Sequence, residues 1–374
     1  MGAQQKNIAR IERDIQRLCY AGLDAEPLRH AVVERLGQGL AFDAFCCFTT
    51  DPMSEFFTHT IFGGAPQSDL DRFIERVYFE DDINDYTWMA RTQRPVALLS
   101  EGVAGHLEQS LCYREILQPR GHAHQARCVF MVKRELWGGI ELSRDRKRDD
   151  FDTDEVALLT RMTSHLGAGL KAAAIRGLIE NTSPADDMPG MLTLDQRRRI
   201  VACTSAAERW LRELGWPASD RDDTTWLPQP VRLLLRALQQ ALAPDTEADT
   251  QRVPRLSVQT PAGRWLSLMA DTAIAQGDTP PVTMVLIEPL RPREAAWLRG
   301  SAYSLTPREQ EVVELVAHGL ATREIAATLC ITEYTVQEHL SHIFDKVGVR
   351  GRRPLLKRLF FDSMSAMSDV RPAQ

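Results

Sequence analysis

No run of apolar residues in this chain approaches the ~18 that a membrane span requires. The opening stretch MGAQQKNIARIERDIQRL is charged and amphipathic, without the apolar centre of a signal peptide. The cysteines (Cys19, Cys46, Cys47, Cys112, Cys128, Cys203, Cys330) are odd in number and form no CxxC pair. That argues against a disulfide framework or a thiolate metal site and for small buried hydrophobes. Phosphate-loop, dinucleotide, nucleophile-elbow and zincin motifs are all missing. The expectation is therefore a cytoplasmic protein, not an enzyme, with no catalytic residue, cofactor, metal or membrane contact.

What is present describes an ordinary folded chain. Apolar residues make up 44% and charged residues 26% of 374, too many for one core, so two or three domains are expected. The net charge of −6 is uneven: Tyr303 to Phe361 holds eight basic and seven acidic residues, leaving −7 for the rest. Six of those eight basic residues fall between Lys346 and Arg358. A basic patch on an acidic protein suits a confined polyanion contact.

Three blocks follow from patterning. In the first, residues 1–180, AFCCFTT and EFFTHTIFG read as strands and DLDRFIERVYF as a helix. RCVFMVKRELWGGIELSR reads as a hairpin turning near Glu135. A long helix then starts at Asp152, with Glu155 in capping-box spacing. Its stripe Leu159, Met162, Leu166, Leu170 and Ala173 suits a core or a partner helix. The polar ENTSPADDMPG is a linker. The second block, 188–291, places two helices among five strands, with Ser205 as cap of the first helix and Glu208 completing its box.

The third block, 301–362, opens with Thr306 as N-cap, Pro307 at the first helical position and Glu309 three residues past the cap. Thr322 is expected to cap a second helix and Thr332 a third that ends at Gly348. At 100° per residue, Val336, Leu340, Ile343, Phe344 and Val347 share one face, opposite Tyr334, Thr335, Glu338, Ser341, His342 and Asp345. A short helix, a tight turn and a longer helix with a free polar face is the arrangement that enters the DNA major groove. Thr335 and Gln337 are then candidates for base edges or phosphates, Glu338 for cytosine N4, Val336 for a thymine methyl while still joining the core, and Arg323, Lys346, Arg350 and Arg352 for phosphates. Thr322, Thr332, Glu333, Tyr334 and His339 complete the candidate DNA-contact set. Pattern alone leaves open a three-helix bundle that binds protein or nothing.

The stretch from Leu305 to Leu356 closely resembles the LuxR/FixJ-type DNA-binding domain of bacterial transcription factors. LTPRE, the glycine after the first helix, EIA, the step IT-xx-TV, HL, IF-x-K and GVR carry the likeness. The family usually has Lys where this chain has Gln337, and Ser or Asn where it has Gly351. TVQEHL, GVRGRR and RLFFD are similar to a subgroup whose sensor regions are GAF-type.

WGGIELSRDRKRDDFDTDEVALLTRM resembles the closing hairpin and last helix of GAF domains, and the second block more faintly resembles a PAS fold. The implied fold is multidomain α+β: GAF-like, then PAS-like, then an all-α helix-turn-helix domain. A phosphorylated receiver is disfavoured, because the acidic VYFEDD lies far from the N-terminus. Trp88, Tyr78, Tyr86 and Asp85 have the composition of an acyl-homoserine-lactone pocket without its order.

Phe45, Phe48, Phe56, Trp88 and Trp137 are the candidate ligand lining, though plain core is the simpler reading of each. His122, His124 and Cys128 in PRGHAHQARC lack a second ligand pair and read as a solvated loop. Cys46 and Cys47 point to opposite faces of a strand, which argues against a bridge between them. The expectation is a transcriptional regulator binding double-stranded DNA as a homodimer, under a small-molecule effector, with RNA polymerase a further candidate partner. The alternative is a ligand-independent DNA-binding protein whose upstream domains only dimerise or dock.

Overall fold

The computed structural model describes residues 3–52, 55–66, 82–180, 188–216, 227–242, 254–273, 280–290, 296, 300, 303 and 305–361. The helix expected over DLDRFIERVYF, together with Tyr78, lies outside those residues, as does most of ENTSPADDMPG. Two compact units emerge, one of Met1–Gly177 with Ala185–Pro289 and one of Leu178–Pro184 with Leu290–Gln374. Mixed sheet-and-helix structure fills the first; the described part of the second is helical.

The N-terminal sheet comprises β1 (Ala44–Thr50), β2 (Phe57–Gly63), β3 (Val96–Leu98), β4 (His122–Val132) and β5 (Glu135–Asp145), in the antiparallel order β2-β1-β5-β4-β3. The hairpin turns at Lys133, whose φ of 58° is left-handed. Residues directly opposite share a face. Cys46, Glu141 and Arg127 therefore form one row, and Phe48, Gly139 and Val129 the next. Phe45, Cys47 and Ile140 lie on the other face.

Three helices accompany this sheet: α1 (Ala3–Cys19), α2 (Ala25–Gly37) and α4 (Thr153–Glu180); α3 (Tyr86–Arg91) carries part of the opposite core. The capping box of α4 forms as expected, Asp152 accepting from the Glu155 amide at 2.9 Å and Glu155 from the Asp152 amide at 3.0 Å. Gly167 of α4 lies against the Met131 backbone and Gly169 against that of Cys19. The expected stripe, Leu159 to Ala173, is fully covered by the chain itself. It is core, and no partner helix can seat there.

HxH is not a loop, contrary to expectation. β4 begins at His122, because its pairing with β5 runs on to Asp145. Buried His122 shares a 3.0 Å hydrogen bond with the Ser143 hydroxyl, and His124 lies 3.7 Å from Asp150. Among the described residues no group of three or more His, Cys, Asp or Glu is placed to hold a metal. No described helix is long and apolar enough to cross a membrane.

A second antiparallel sheet has β6 (Gly190–Leu194), β7 (Ile200–Cys203), β8 (Arg255–Gln259), β9 (Trp265–Ala273) and β10 (Val282–Pro289), in the order β7-β6-β10-β9-β8. Relative to strand sequence this repeats the order of the first sheet. Helices α5 (Ser205–Glu213) and α6 (Gln229–Ala241) contribute Trp210, Leu211, Val231 and Leu234 to a core with Leu192, Leu194, Val285 and Ile287. Thr204, not Ser205, caps α5. Its hydroxyl accepts from the amides of Ala207 at 3.2 Å and Met191 at 3.0 Å, so the β6 contact fixes where the helix begins.

These sheets exchange core residues. Leu233 of α6 belongs to the apolar cluster of the first sheet, and Phe56, just before β2, packs on that of the second. The buried Asp51 carboxylate accepts from the Ser257 amide at 3.1 Å, and Gln229 donates to the Thr60 hydroxyl at 2.8 Å. The Trp265 indole donates to the Ala174 carbonyl at 3.0 Å. Leu233→Ala should therefore cost about 2–5 kcal/mol, the range for a buried leucine, and lower the unfolding midpoint of both sheets together. Hydrogen exchange resolved by peptide checks this. Loss of protection confined to α6 would count against a shared core.

Candidate nucleic-acid interface

Thr306 and Glu309 close the capping box of α7 (Pro307–Ala317), with amide-to-oxygen distances of 3.2 and 2.6 Å. Gly319, at φ 82°, terminates it. Helix α8 (Thr322–Leu329) starts differently from expectation. Ala321 occupies the N-cap, and its amide donates to Glu324 at 2.7 Å. The Thr322 hydroxyl instead accepts from Arg352 at 3.0 Å. Cys330 makes the left-handed turn at φ 53°, and Thr332 caps α9 (Glu333–Val347) by accepting from the Thr335 amide at 3.1 Å.

Val336, Leu340, Ile343 and Val347 of α9 pack with Val312, Val316, Ile325 and Leu355. Val336 is 0% exposed. Its assignment as a DNA contact is corrected: it holds α9 from inside and reaches no base. The outward face presents Glu333, Tyr334, Gln337, Glu338, Ser341, His342 and Asp345, with Thr335 and His339 half-buried at its margins. Tyr334, 69% exposed at the first turn, is the aromatic that this face offers.

The cations divide by what they touch. Lys346 Nζ lies 2.6 and 2.5 Å from the two oxygens of Glu309, so its charge is already matched. Arg352 donates to the Leu320 carbonyl at 2.6 Å as well as to Thr322, clasping the start of α8. Exposed Arg323 and Arg350 have no such engagement among the described residues. Neither do Arg353, on α10 (Arg352–Leu356), and Lys357, which the sequence reading counted only as charge. Gly351 stands at φ 114°, where a side chain is strained, between the third helix and α10.

Residues 303–358 match the family model described as bacterial regulatory proteins, luxR family. The C-terminal helical domain belongs to the luxR family. Over 55 residues it is 46% identical to a probable HTH-type transcriptional regulator, GfsR, of Streptomyces halstedii, covering 15% of this chain and 23% of that one. Over 48 residues it is 50% identical to the spore germination protein GerE of Bacillus subtilis, covering 13% and 65%. The likeness thus spans less than two thirds of these relatives and is confined to the luxR-family domain. Among solved structures, the GAF domain of a Coxiella burnetii phosphoenolpyruvate-protein phosphotransferase aligns at 17% identity and a TM-score of 0.35. That alignment covers 46% of this chain and 98% of that one, a likeness too slight to assign anything.

Glu309 gives the luxR-family domain a pH dependence. Burial pushes its carboxyl up, but hydrogen bonds from Lys346 and Thr306 outweigh this and hold it below the usual value. A depressed carboxyl stabilises the fold above its unfolded value of about 4.3. That contribution is lost as pH falls through the folded value. Helicity of the domain should fall on acidification below pH ~4.3, and Lys346→Met should flatten the dependence. An unchanged acid profile in the variant would count against the ion pair.

The five aromatics proposed as a ligand lining do not converge. Phe48 faces the core under α3, whereas Phe45, three residues away, faces the opposite side and meets Phe42 edge-on at 6.1 Å. Phe56 belongs to the second sheet's cluster. Trp88 is 45% exposed beside Arg94. Trp137 is buried, its indole donating to Glu135 at 3.2 Å beneath Lys171 of α4. What the sequence reading passed over is a charged row on the Phe48 face, Arg127 and Glu141. The available signal was an ionisable residue set among small and apolar neighbours in each strand, ARCVF and GGIEL.

Proposed function

We propose that the chain is a transcriptional regulator that binds duplex DNA through α9, acts as a homodimer, and answers to a small effector held in the first sheet domain. The observation that carries the reading is the luxR-family domain itself, whose capped third helix is seated by Val336, Leu340, Ile343 and Val347 and leaves Tyr334, Gln337 and Glu338 outward. Arg323 and Arg350 would grip phosphates, assisted by Arg353 and Lys357. Thr332, Glu333, Thr335 and His339 flank the base-reading positions. Lys346 and Arg352 act mainly by holding the helices in register.

The upstream region supports a sensor role by its arrangement. The β4–β5 hairpin runs into α4, as the resemblance to GAF domains implies, and a second sheet of the same strand order follows. We place the working boundaries at 1–180, 188–291 and 301–362. Selection of bound fragments from a random duplex library by the full chain tests the reading. Enrichment of a pseudo-palindrome with half-sites one turn apart, ~34 Å, is expected. A selected affinity that stays flat between 50 and 200 mM salt would sink phosphate-driven docking.

A further inference from the structure

The inner face of the first sheet buries ionisable groups that the DNA-binding reading does not use. Arg127 and Glu141, 3% and 7% exposed, stand opposite each other on β4 and β5, with Nε donating to Oε2 at 3.3 Å. The same guanidinium donates to the carbonyls of Ile83 at 3.0 Å and Asn84 at 3.2 Å, and approaches Asp82 at 3.9 Å. Asp82 in turn accepts from the amides of Leu111 and Cys112 and from the Ser110 hydroxyl, at 3.0 to 3.2 Å. These charges are engaged with one another and with backbone.

Tyr86 is not. The first residue of α3 lies over Arg127, whose guanidinium carbon is 5.3 Å from the ring centre, and meets Phe48 and Phe57 edge-on at 4.8 and 5.7 Å. It is 2% exposed, and its hydroxyl has no hydrogen-bond partner among the described residues. Burial first, and then the Glu141 carboxylate, push the phenol well above its ordinary value, so it stays a proton donor. Native cores rarely leave such a group unmatched, and each exception calls for an occupant or a role.

We infer that the Tyr86 hydroxyl is the recognition donor of an effector site on this sheet face, and that the effector is a small neutral molecule with an apolar body and one hydrogen-bond acceptor, a carbonyl oxygen or ring nitrogen. The inference rests on the reading that this domain holds an effector. Charge decides against ions. An anion would face Glu141 and Asp82 with the guanidinium already occupied, and a cation would face Arg127. The ring's contacts with Phe48 and Phe57, and the apolar cluster it shares with Met89, Val103 and Ile116, call for an apolar body.

Two matched probe pairs test this on the full chain: quinoline against naphthalene, and acetophenone against cumene, with affinities read by ligand-observed NMR. Quinoline and acetophenone should bind roughly three- to tenfold tighter than their partners, the worth of one neutral hydrogen bond. Tyr86→Phe should erase that preference while leaving the probe-free melting temperature unchanged or higher. Equal affinity within each pair, no binding by any of the four, or a preference that survives in Tyr86→Phe would overturn the site. Effector control is read separately, from the affinity for the selected duplex with saturating quinoline. A Tyr86-dependent preference with unchanged DNA affinity would leave the site and remove control; a DNA response that persists in Tyr86→Phe would do the reverse.

Discussion

Arg127→Met is expected to destabilise the first sheet domain by about 3–5 kcal/mol, the cost of leaving a buried charge without its partner. Glu141 would keep its carboxylate on the inner sheet face, and the Ile83 and Asn84 carbonyls would lose their donor. Burial already raises the Glu141 carboxyl above its ordinary value, even against the opposing pull of Arg127. Removing the guanidinium raises it further, so the folded variant binds a proton more readily than the unfolded chain. Stability then increases as pH falls, and the deficit should narrow on acidification toward the ordinary carboxylate range. Adding Glu141→Leu should recover part of the loss, because removing both charges costs far less than removing one. Urea midpoints of the two single variants and the double variant measure the coupling. A double variant as weak as Arg127→Met alone would show that the carbonyl contacts, not the ion pair, carry the effect.

On the DNA side, Arg323→Ala combined with Arg350→Ala should weaken binding to the selected duplex roughly a hundredfold, about tenfold for each lost charged contact. The slope of log affinity against log salt should become shallower by about two, one for each phosphate released. Loss should be similar on specific and random duplexes, since phosphate contacts carry no sequence information. Gln337→Ala should behave in the opposite way, changing which base is preferred with little change in slope. Fluorescence anisotropy at four salt concentrations separates the two. An undiminished slope in the double arginine variant would place the phosphate contacts elsewhere, with Arg353 and Lys357 next to test.

The C-terminal domain was legible because its determinants are local. Thr306, Pro307, Glu309, Thr332 and Gly348 mark helix ends within a few residues of the bonds they make, and the 3.6-residue period gives the buried face of α9 directly. The error there is one residue wide, Ala321 standing where Thr322 was expected to cap; Val336 lies on the apolar face as expected, too deep to serve the outer face as well. The first domain was less legible because its charged row is built across strands. Phe45 and Phe48 look alike in a list of aromatics, yet three positions along a strand put them on opposite faces. Arg127 and Glu141 are fourteen residues apart and meet only through the β4–β5 register. The same pairing, running on to Asp145, turned His122 and His124 from loop into strand. Nothing local announces which partner a strand residue will face.

Phe56 and Phe57 are neighbours in the chain but enter different cores, and Leu233 crosses the other way. Gene shuffling that transplanted residues 1–180 onto another output domain would carry Phe56 uncovered and a hole where Leu233 belongs. A recombinant ancestor built that way would be sticky and poorly folded. The smallest segment that keeps both cores closed is therefore the pair of sheets to Pro289.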